Sequence, residues 1–372
     1  MTKAQVIKSV VFCAIAGLLA LFFIFSLSNP GTDTFLNYTL FYQEKEESLD
    51  VVMIGPSTVF SGHIPAVAWN DHGYTSYNFA GSLQPLPAST IAVEEAMRTQ
   101  KPKLIVVDVN SIGYTEPYTS SNRKRELIDS MPLTDAKKAL VGKYGTDIEL
   151  SYYFTFMKYH STIYNLFTKI ELGNIYKHYV KNNETSILKG WMNCAYTRPV
   201  TILDVDDEEE MTAPIADYAY ECLIELLETC KKYSDTTDTE FLFIRMPRFL
   251  NTGSIENLKR VNSGIPIIES YGFEYIDFSD HIDDIGVSPV EDYYDFDHLN
   301  VSGALKFTNY FGNYITTKYS FIGTHSQSVT DNFNACYAQT RALLDEVLAG
   351  RVEHGEKGRV YEKHAYNMFK RQ

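Results

Sequence analysis

The sequence predicts an α/β protein: an open sheet of about five parallel strands with helices on both faces, a helical insertion and an N-terminal transmembrane helix. Three observations carry this. Residues 10–27 form an almost unbroken apolar run. From Asp50 onward, short β-branched runs alternate with stretches of helical spacing, the pattern of βαβ units. Two polar stretches, around Ser57 and around His298, interrupt that alternation at turns between elements.

Taken in order, residues 1–9 carry Lys3 and Lys8 ahead of the span at 10–28, which is long enough to cross a bilayer as a helix. Asp33, Glu44, Glu46 and Glu47 follow it with only Lys45 among them, so the positive-inside rule puts the N-terminus in the cytoplasm and the rest outside. The competing reading is a signal peptide cleaved at Ser26-Leu27-Ser28, which would make the protein secreted. Residues 29–49 read as a stem. The main domain, 50–319, opens with strand Val51–Ile54 and continues with a short helix at 64–69, a strand at 74–79, a helix at 87–99 and a strand at 104–109. Residues 114–214 break the pattern and are rich in Tyr and Phe; they read as a mainly helical insertion above the carboxyl edge of the sheet, where such segments set substrate choice. A helix at 216–233, a strand at 241–244, a helix at 255–271, a strand at 273–278 and a closing helix at 302–319 complete five strands. Residues 320–372 form a C-terminal helical extension, with pieces at 331–348 and 359–370.

Composition narrows the function. A formal net charge of −14 argues against nucleic acid and anionic lipid surfaces as partners through bulk electrostatics. The five cysteines show no metal-type spacing, and a disulfide among Cys194, Cys222, Cys230 and Cys336 is compatible with an extracytoplasmic compartment. Asp292, Asp295, Asp297 and His298 lack the order of a calcium loop and a second helical His, so no metal or other cofactor is expected.

The stretch Asp50-Val-Val-Met-Ile-Gly-Pro-Ser57 reads as a buried strand running into a turn that presents a hydroxyl at the carboxyl edge, where open α/β folds place their ligands. Capping of the next helix is the bland role for that serine. Downstream, Asp295-Phe-Asp-His298 offers what a serine nucleophile needs, a base and a carboxylate to fix its tautomer. Asp292 and Asp297 are alternative carboxylates, and His63 and His72 alternative bases, though both histidines fall where the chain enters helix and loop and read as structural.

With the serine block after the first strand and Asp-x-x-His before the last helix, the chain resembles the SGNH/GDSL hydrolase superfamily, with its three-layer flavodoxin-like fold. The resemblance implies an oxyanion hole shared by the Ser57 amide, Gly81 in Tyr77-Asn-Phe-Ala-Gly81, and Asn110 after the run 104–109. Pro56 and Ser111 stand where the family commonly has Asp. The anchor and the Ile54-Gly-Pro-Ser57 form are similar to the membrane-bound subset that includes the D protein of lipoteichoic-acid D-alanylation and the alginate O-acetylation proteins. That subset implies serine esterase or O-acyltransferase chemistry on a cell-surface polysaccharide or teichoic-acid-like acceptor of a bacterial envelope, with a multi-pass membrane O-acyltransferase as partner. The rivals are a plain carbohydrate or lipid esterase and a catalytically inactive membrane-anchored scaffold that binds glycan or a partner. Arg245 and Arg248, at the end of the fourth strand, suit an anionic acceptor or, more blandly, surface salt bridges.

Overall fold

A computed structural model describes residues 2–27, 33–115, 118–145, 148–162, 187–193, 197–203, 210–319 and 323–354. The five strands are β1 (Val51–Gly55), β2 (Ser76–Ala80), β3 (Leu104–Asp108), β4 (Glu240–Arg245) and β5 (Glu274–Asp277). They form one parallel sheet in the order β2-β1-β3-β4-β5. The order reverses between β1 and β3, the switch point at which such sheets open a crevice at their carboxyl ends. The three central strands are apolar on both faces because helices cover both: Val51, Val52, Met53 and Ile54 are fully buried, as are Leu104 to Val107.

Eleven of the helices organise the rest: α1 (Lys3–Ser26), α2 (Asp33–Phe41), α3 (Ser57–Gly62), α4 (Pro65–His72), α5 (Leu86–Thr99), α6 (Tyr118–Ser130), α7 (Asp135–Tyr144), α8 (Asp217–Thr236), α9 (Ile255–Ser270), α10 (Val301–Lys318) and α11 (Gln327–His354). One face of the sheet packs on α5 and α8, with Val52, Ile54, Ile105 and Phe243 meeting Ile91, Ala96, Leu223 and Leu227. The other packs on α10, where Val51, Met53, Val106 and Ile244 meet Phe307, Phe311 and Ile315.

α1 begins earlier than the apolar run, because Thr2 caps it in a reciprocal box with Gln5. Its stretch Lys3–Phe23 has a mean hydropathy of 2.5 and none of it is buried, so it is long and apolar enough to cross a membrane.

The residues expected to be a stem differ from that reading. α2 is built into the domain: Tyr38 and Phe41 are fully buried, and the Phe41 ring stacks on Phe79 at 3.8 Å. From the same helix, Asn37 Nδ2 donates to the Asn78 and Ala80 carbonyls, each at 2.8 Å, closing the open edge of β2.

The described pieces of the insertion divide: Arg198 N–H donates to the Tyr293 carbonyl at 2.9 Å, beside the His298 loop at the carboxyl edge, while α6 and α7 pack elsewhere than expected. Leu127, Ile128 and Met131 of α6 and Leu140 and Val141 of α7 belong to the core that holds α5, beside the sheet rather than above its carboxyl edge. A later piece, 187–193, covers the β2 edge, where the Lys189 carbonyl accepts from the Asn78 amide at 2.9 Å. The Lys189 ammonium, fully buried, bonds Glu44 at 2.7 Å and Asn332 of α11 at 2.6 Å, and so ties insertion, α2 region and C-terminal helix together. Of the four cysteines open to a disulfide, Cys222 and Cys230 are buried thiols without one. Cys194 and residues 359–370 lie outside the described residues.

Candidate active site

β1 delivers Ser57. The strand ends at Gly55, where a Cβ would press within 2.8 Å of both the Asp108 Cβ and a Val59 methyl, so only glycine lets the chain turn this close to β3. Pro56 follows as the extended residue before α3, and Ser57 is the first residue inside that helix. Its amide is therefore one of the donors that a helix start leaves without an intrahelical acceptor.

The loop 292–300 delivers the other two groups. It folds back on itself through Tyr294 N–H to the His298 carbonyl at 2.8 Å and Asn300 N–H to the Asp292 carbonyl at 2.9 Å. Asn300 then caps α10, its side-chain carbonyl accepting from Ser302 and Gly303. Within the loop, Asp295 Oδ1 accepts from the backbone of Asp297 and of His298, at 2.8 and 2.9 Å. These bonds point both carboxylate oxygens at His298 Nδ1, at 2.8 and 2.9 Å, and the far nitrogen Nε2 lies 2.7 Å from Ser57 Oγ. With the Nδ1 proton held by the carboxylate, Nε2 is the acceptor and the serine hydroxyl donates to it.

Burial raises the Asp295 carboxyl, but the hydrogen bond and charge of His298, helped by Arg198, outweigh it and hold the group below the usual carboxylate range. The His298 and Asp295 side chains are 23% and 24% exposed, open enough for a substrate to reach.

The alternative carboxylates serve elsewhere. Asp292 is fully buried, with Oδ2 accepting from Ser288 N–H at 2.7 Å and Lys306 at 2.6 Å, and Asp297 pairs with Arg248. Of the alternative bases, His72 Nε2 faces Asn309 at 3.2 Å, while His63 is fully buried, with Nδ1–H donating to Asn78 at 2.9 Å.

Burial lowers the His63 pKa from 6.5 to about 4, against the Asn78 bond, which favours the charged form. Its contribution to stability is therefore complete above the unfolded value of 6.5 and is lost as the pH falls through the window down to about 4. The whole loss is roughly 3 kcal/mol. We expect urea midpoints to fall further across that window in the wild type than in His63→Gln; parallel curves would contradict the assignment.

The oxyanion candidates fare differently. The Gly81 amide donates to the Gly55 carbonyl at 3.2 Å, and the residue is glycine because a Cβ would run into the Tyr38 hydroxyl of α2. Asn110 lies at the end of β3, its side-chain carbonyl accepting from Arg248 Nη1 at 2.6 Å.

No family model, curated protein or solved structure matches this chain. The site stands on its own geometry.

Sequence reading missed Asp108, the buried carboxylate beneath the serine. Its oxygens accept from Asn110 N–H at 2.8 Å, Met246 N–H at 3.2 Å and Thr58 Oγ at 3.2 Å, pinning the ends of β3 and β4 to α3. Burial raises its pKa, opposed by those bonds and by Arg248. Arg245 and Arg248 are a correction: both are buried, not surface ion pairs. Arg245 bonds Asp277 at 2.8 Å and Ser279 at 3.2 Å, and Arg248 bridges Asn110 and Asp297.

Proposed function

We propose that the protein is an extracytoplasmic serine esterase or O-acyltransferase of SGNH type, anchored by α1 with its N-terminus in the cytoplasm, acting on esters of a cell-surface glycopolymer. The observation that carries this reading is the unbroken chain Ser57 Oγ–His298 Nε2/Nδ1–Asp295 at the carboxyl edge of the parallel sheet.

In the reaction, Ser57 Oγ attacks the ester carbonyl while His298 Nε2 takes the hydroxyl proton, and the carbonyl π electrons move onto oxygen. The Ser57 amide is the donor offered to the developing negative charge; the Gly81 amide is spent on Gly55 and the Asn110 side chain is engaged by Arg248 and Tyr114. The imidazolium, steadied by Asp295, returns its proton to the leaving alkoxide as the C–O bond breaks. Water or an acceptor hydroxyl then attacks the acyl-serine by the same path in reverse, giving hydrolysis or transfer. A polysaccharide or teichoic-acid-like acceptor and a multi-pass O-acyltransferase partner fit this placement at the membrane.

Incubation of the full-length protein with a fluorophosphonate tests the reading. A phosphonyl adduct on Ser57, absent after His298→Ala, is the expected result. A folded protein that stays unlabelled would instead favour a scaffold that binds glycan without chemistry.

A further inference from the structure

Four apolar side chains stand exposed along one short stretch of the insertion. Ile148, Leu150, Phe154 and Met157 are 72%, 55%, 51% and 40% exposed, while Ser151 and Tyr152 between them are buried. α6 holds the stretch in this attitude. Arg125 Nη2 donates to the Ser151 carbonyl at 2.8 Å, its guanidinium lies over the Tyr152 ring at 3.9 Å, and the Tyr159 hydroxyl donates to Asp129 at 2.7 Å. The helical turns Leu150–Tyr153 and Phe156–Tyr159 are thus pinned to the domain by one side and leave an apolar side outward. Single exposed apolar residues need no explanation, but a run of them on one segment marks an interaction surface.

The position of the membrane helix says what covers this surface. α1, whose stretch Lys3–Phe23 is long and apolar enough to cross a bilayer, meets the Phe156–Tyr159 turn. α2 packs on α6, the helix that holds the stretch. Ser26 and Asp33 are seven positions apart, so at most about 25 Å of chain joins the end of α1 to α2. α1, α2, α6 and residues 148–157 therefore share one side of the molecule, and lipid around α1 reaches the stretch that touches it.

Charge decides how the lipid is met. Apart from His160, residues 148–162 carry one carboxylate, Glu149, and one ammonium, Lys158, in a chain of net charge −14. Attraction to acidic headgroups therefore contributes little, and the apolar and aromatic groups must carry the contact, as they do for segments that lie in the bilayer interface.

We propose that residues 148–157 dip into the boundary between acyl chains and headgroups and form a second membrane contact beside α1. The proposal rests on α1 being the anchor. Its consequence is orientation. Thr34 Oγ1, at the start of α2, accepts from Ser82 N–H at 2.9 Å, just beyond the carboxyl end of β2. The chain thus leaves the membrane at the carboxyl edge of the sheet, and a second contact stops the domain swivelling about residues 27–32, which keeps the edge that bears Ser57 at one attitude to the bilayer.

The full-length protein in phosphatidylcholine nanodiscs, with plain or brominated acyl chains, provides the test. Tryptophans are added one at a time, and the signal of Trp69 and Trp191 is subtracted. Phe154→Trp should emit to the blue and lose roughly half its fluorescence in the brominated discs, as a ring about 5–10 Å into the boundary would. Adding phosphatidylglycerol should leave that loss unchanged. Asp238→Trp, exposed before the amino end of β4, should lose none, and Phe12→Trp reports whether α1 is embedded. Should Phe154→Trp misfold, Met157→Trp reads the same stretch.

Quenching of Phe12→Trp without quenching of Phe154→Trp or Met157→Trp would overturn the second contact and leave the anchor in place. A blue shift indifferent to bromine would also overturn it, since a second copy or another protein would then cover the stretch. Quenching that appears only with phosphatidylglycerol would do the same. No quenching of Phe12→Trp would remove the anchor and the proposal with it.

Discussion

Ser57→Ala and His298→Ala should each lower the hydrolysis of p-nitrophenyl acetate by roughly 10⁴-fold or more, because a nucleophile and its base fail together when either is removed. The loss should be similar in the two single variants and no greater in the double variant, the signature of groups acting as one unit. Stability should barely move in Ser57→Ala. The hydroxyl is partly exposed and its side chain bonds only His298 among the described residues, a setting in which substitution usually stays within about 0.5 kcal/mol.

The material matters. A soluble fragment starting at Glu47 would discard α2, whose Tyr38 and Phe41 fill the core and whose Asn37 closes the β2 edge, so the full-length chain in nanodiscs is the right comparison. Equal rates in wild type and both variants would remove the triad as the source of turnover.

The parts of this site that were legible in the sequence are those written in local pattern. Three short apolar runs give the central strands β1, β3 and β4 within a residue or two, since strands buried on both faces are apolar through their middles; the edge strands β2 and β5, which include Asn78 and Glu274, show through their aromatic and β-branched residues. Ser57 after the first strand and Asp295 three residues before His298 are likewise local, and the loop bonds that aim them follow from Asp295 reaching its own backbone neighbours.

What was not legible depends on distant partners. Residues 33–41 look like a linker until the β2 edge and the Phe79 ring are in place to receive them. Arginines at a strand end ordinarily reach solvent; Arg245 and Arg248 do not, because Asp277 and Asp297, both far along the chain, meet them in the interior. Gly81 carries the spacing of an oxyanion donor, but spacing does not show that its amide is bonded to Gly55 or that Tyr38 occupies the space a side chain would need. Asp108 reads as an ordinary polar end to β3, and only the approach of α3 and of the backbone after β4 reveals it as the clamp beneath Ser57.

Asp295→Asn separates orientation from mere proximity. The asparagine is nearly isosteric, so the loop should hold, but its amide can present an N–H to His298 Nδ1. That reverses the tautomer, placing the proton on Nε2 opposite Ser57 Oγ, where a base must have a lone pair. A loss of roughly 10⁴-fold in kcat at neutral pH is expected, with little change in KM.

The pH profile adds an independent check on the wild type. Asp295 is held below its ordinary range by His298 in spite of burial, so its contribution to stability is present above the unfolded carboxyl pKa and is lost only as the pH falls through the lower folded value. It thus stays ionised through the mildly acid range. The acid limb of kcat/KM should therefore have a slope of one, from a single protonation. A slope of two would mean that both groups gain protons in the same window, which a carboxylate held low by two hydrogen bonds to imidazole Nδ1 does not permit. Asp292→Asn, whose parent residue bonds Ser288 and Lys306 instead, should lose stability and keep the slope, so only the variant next to His298 changes the chemistry.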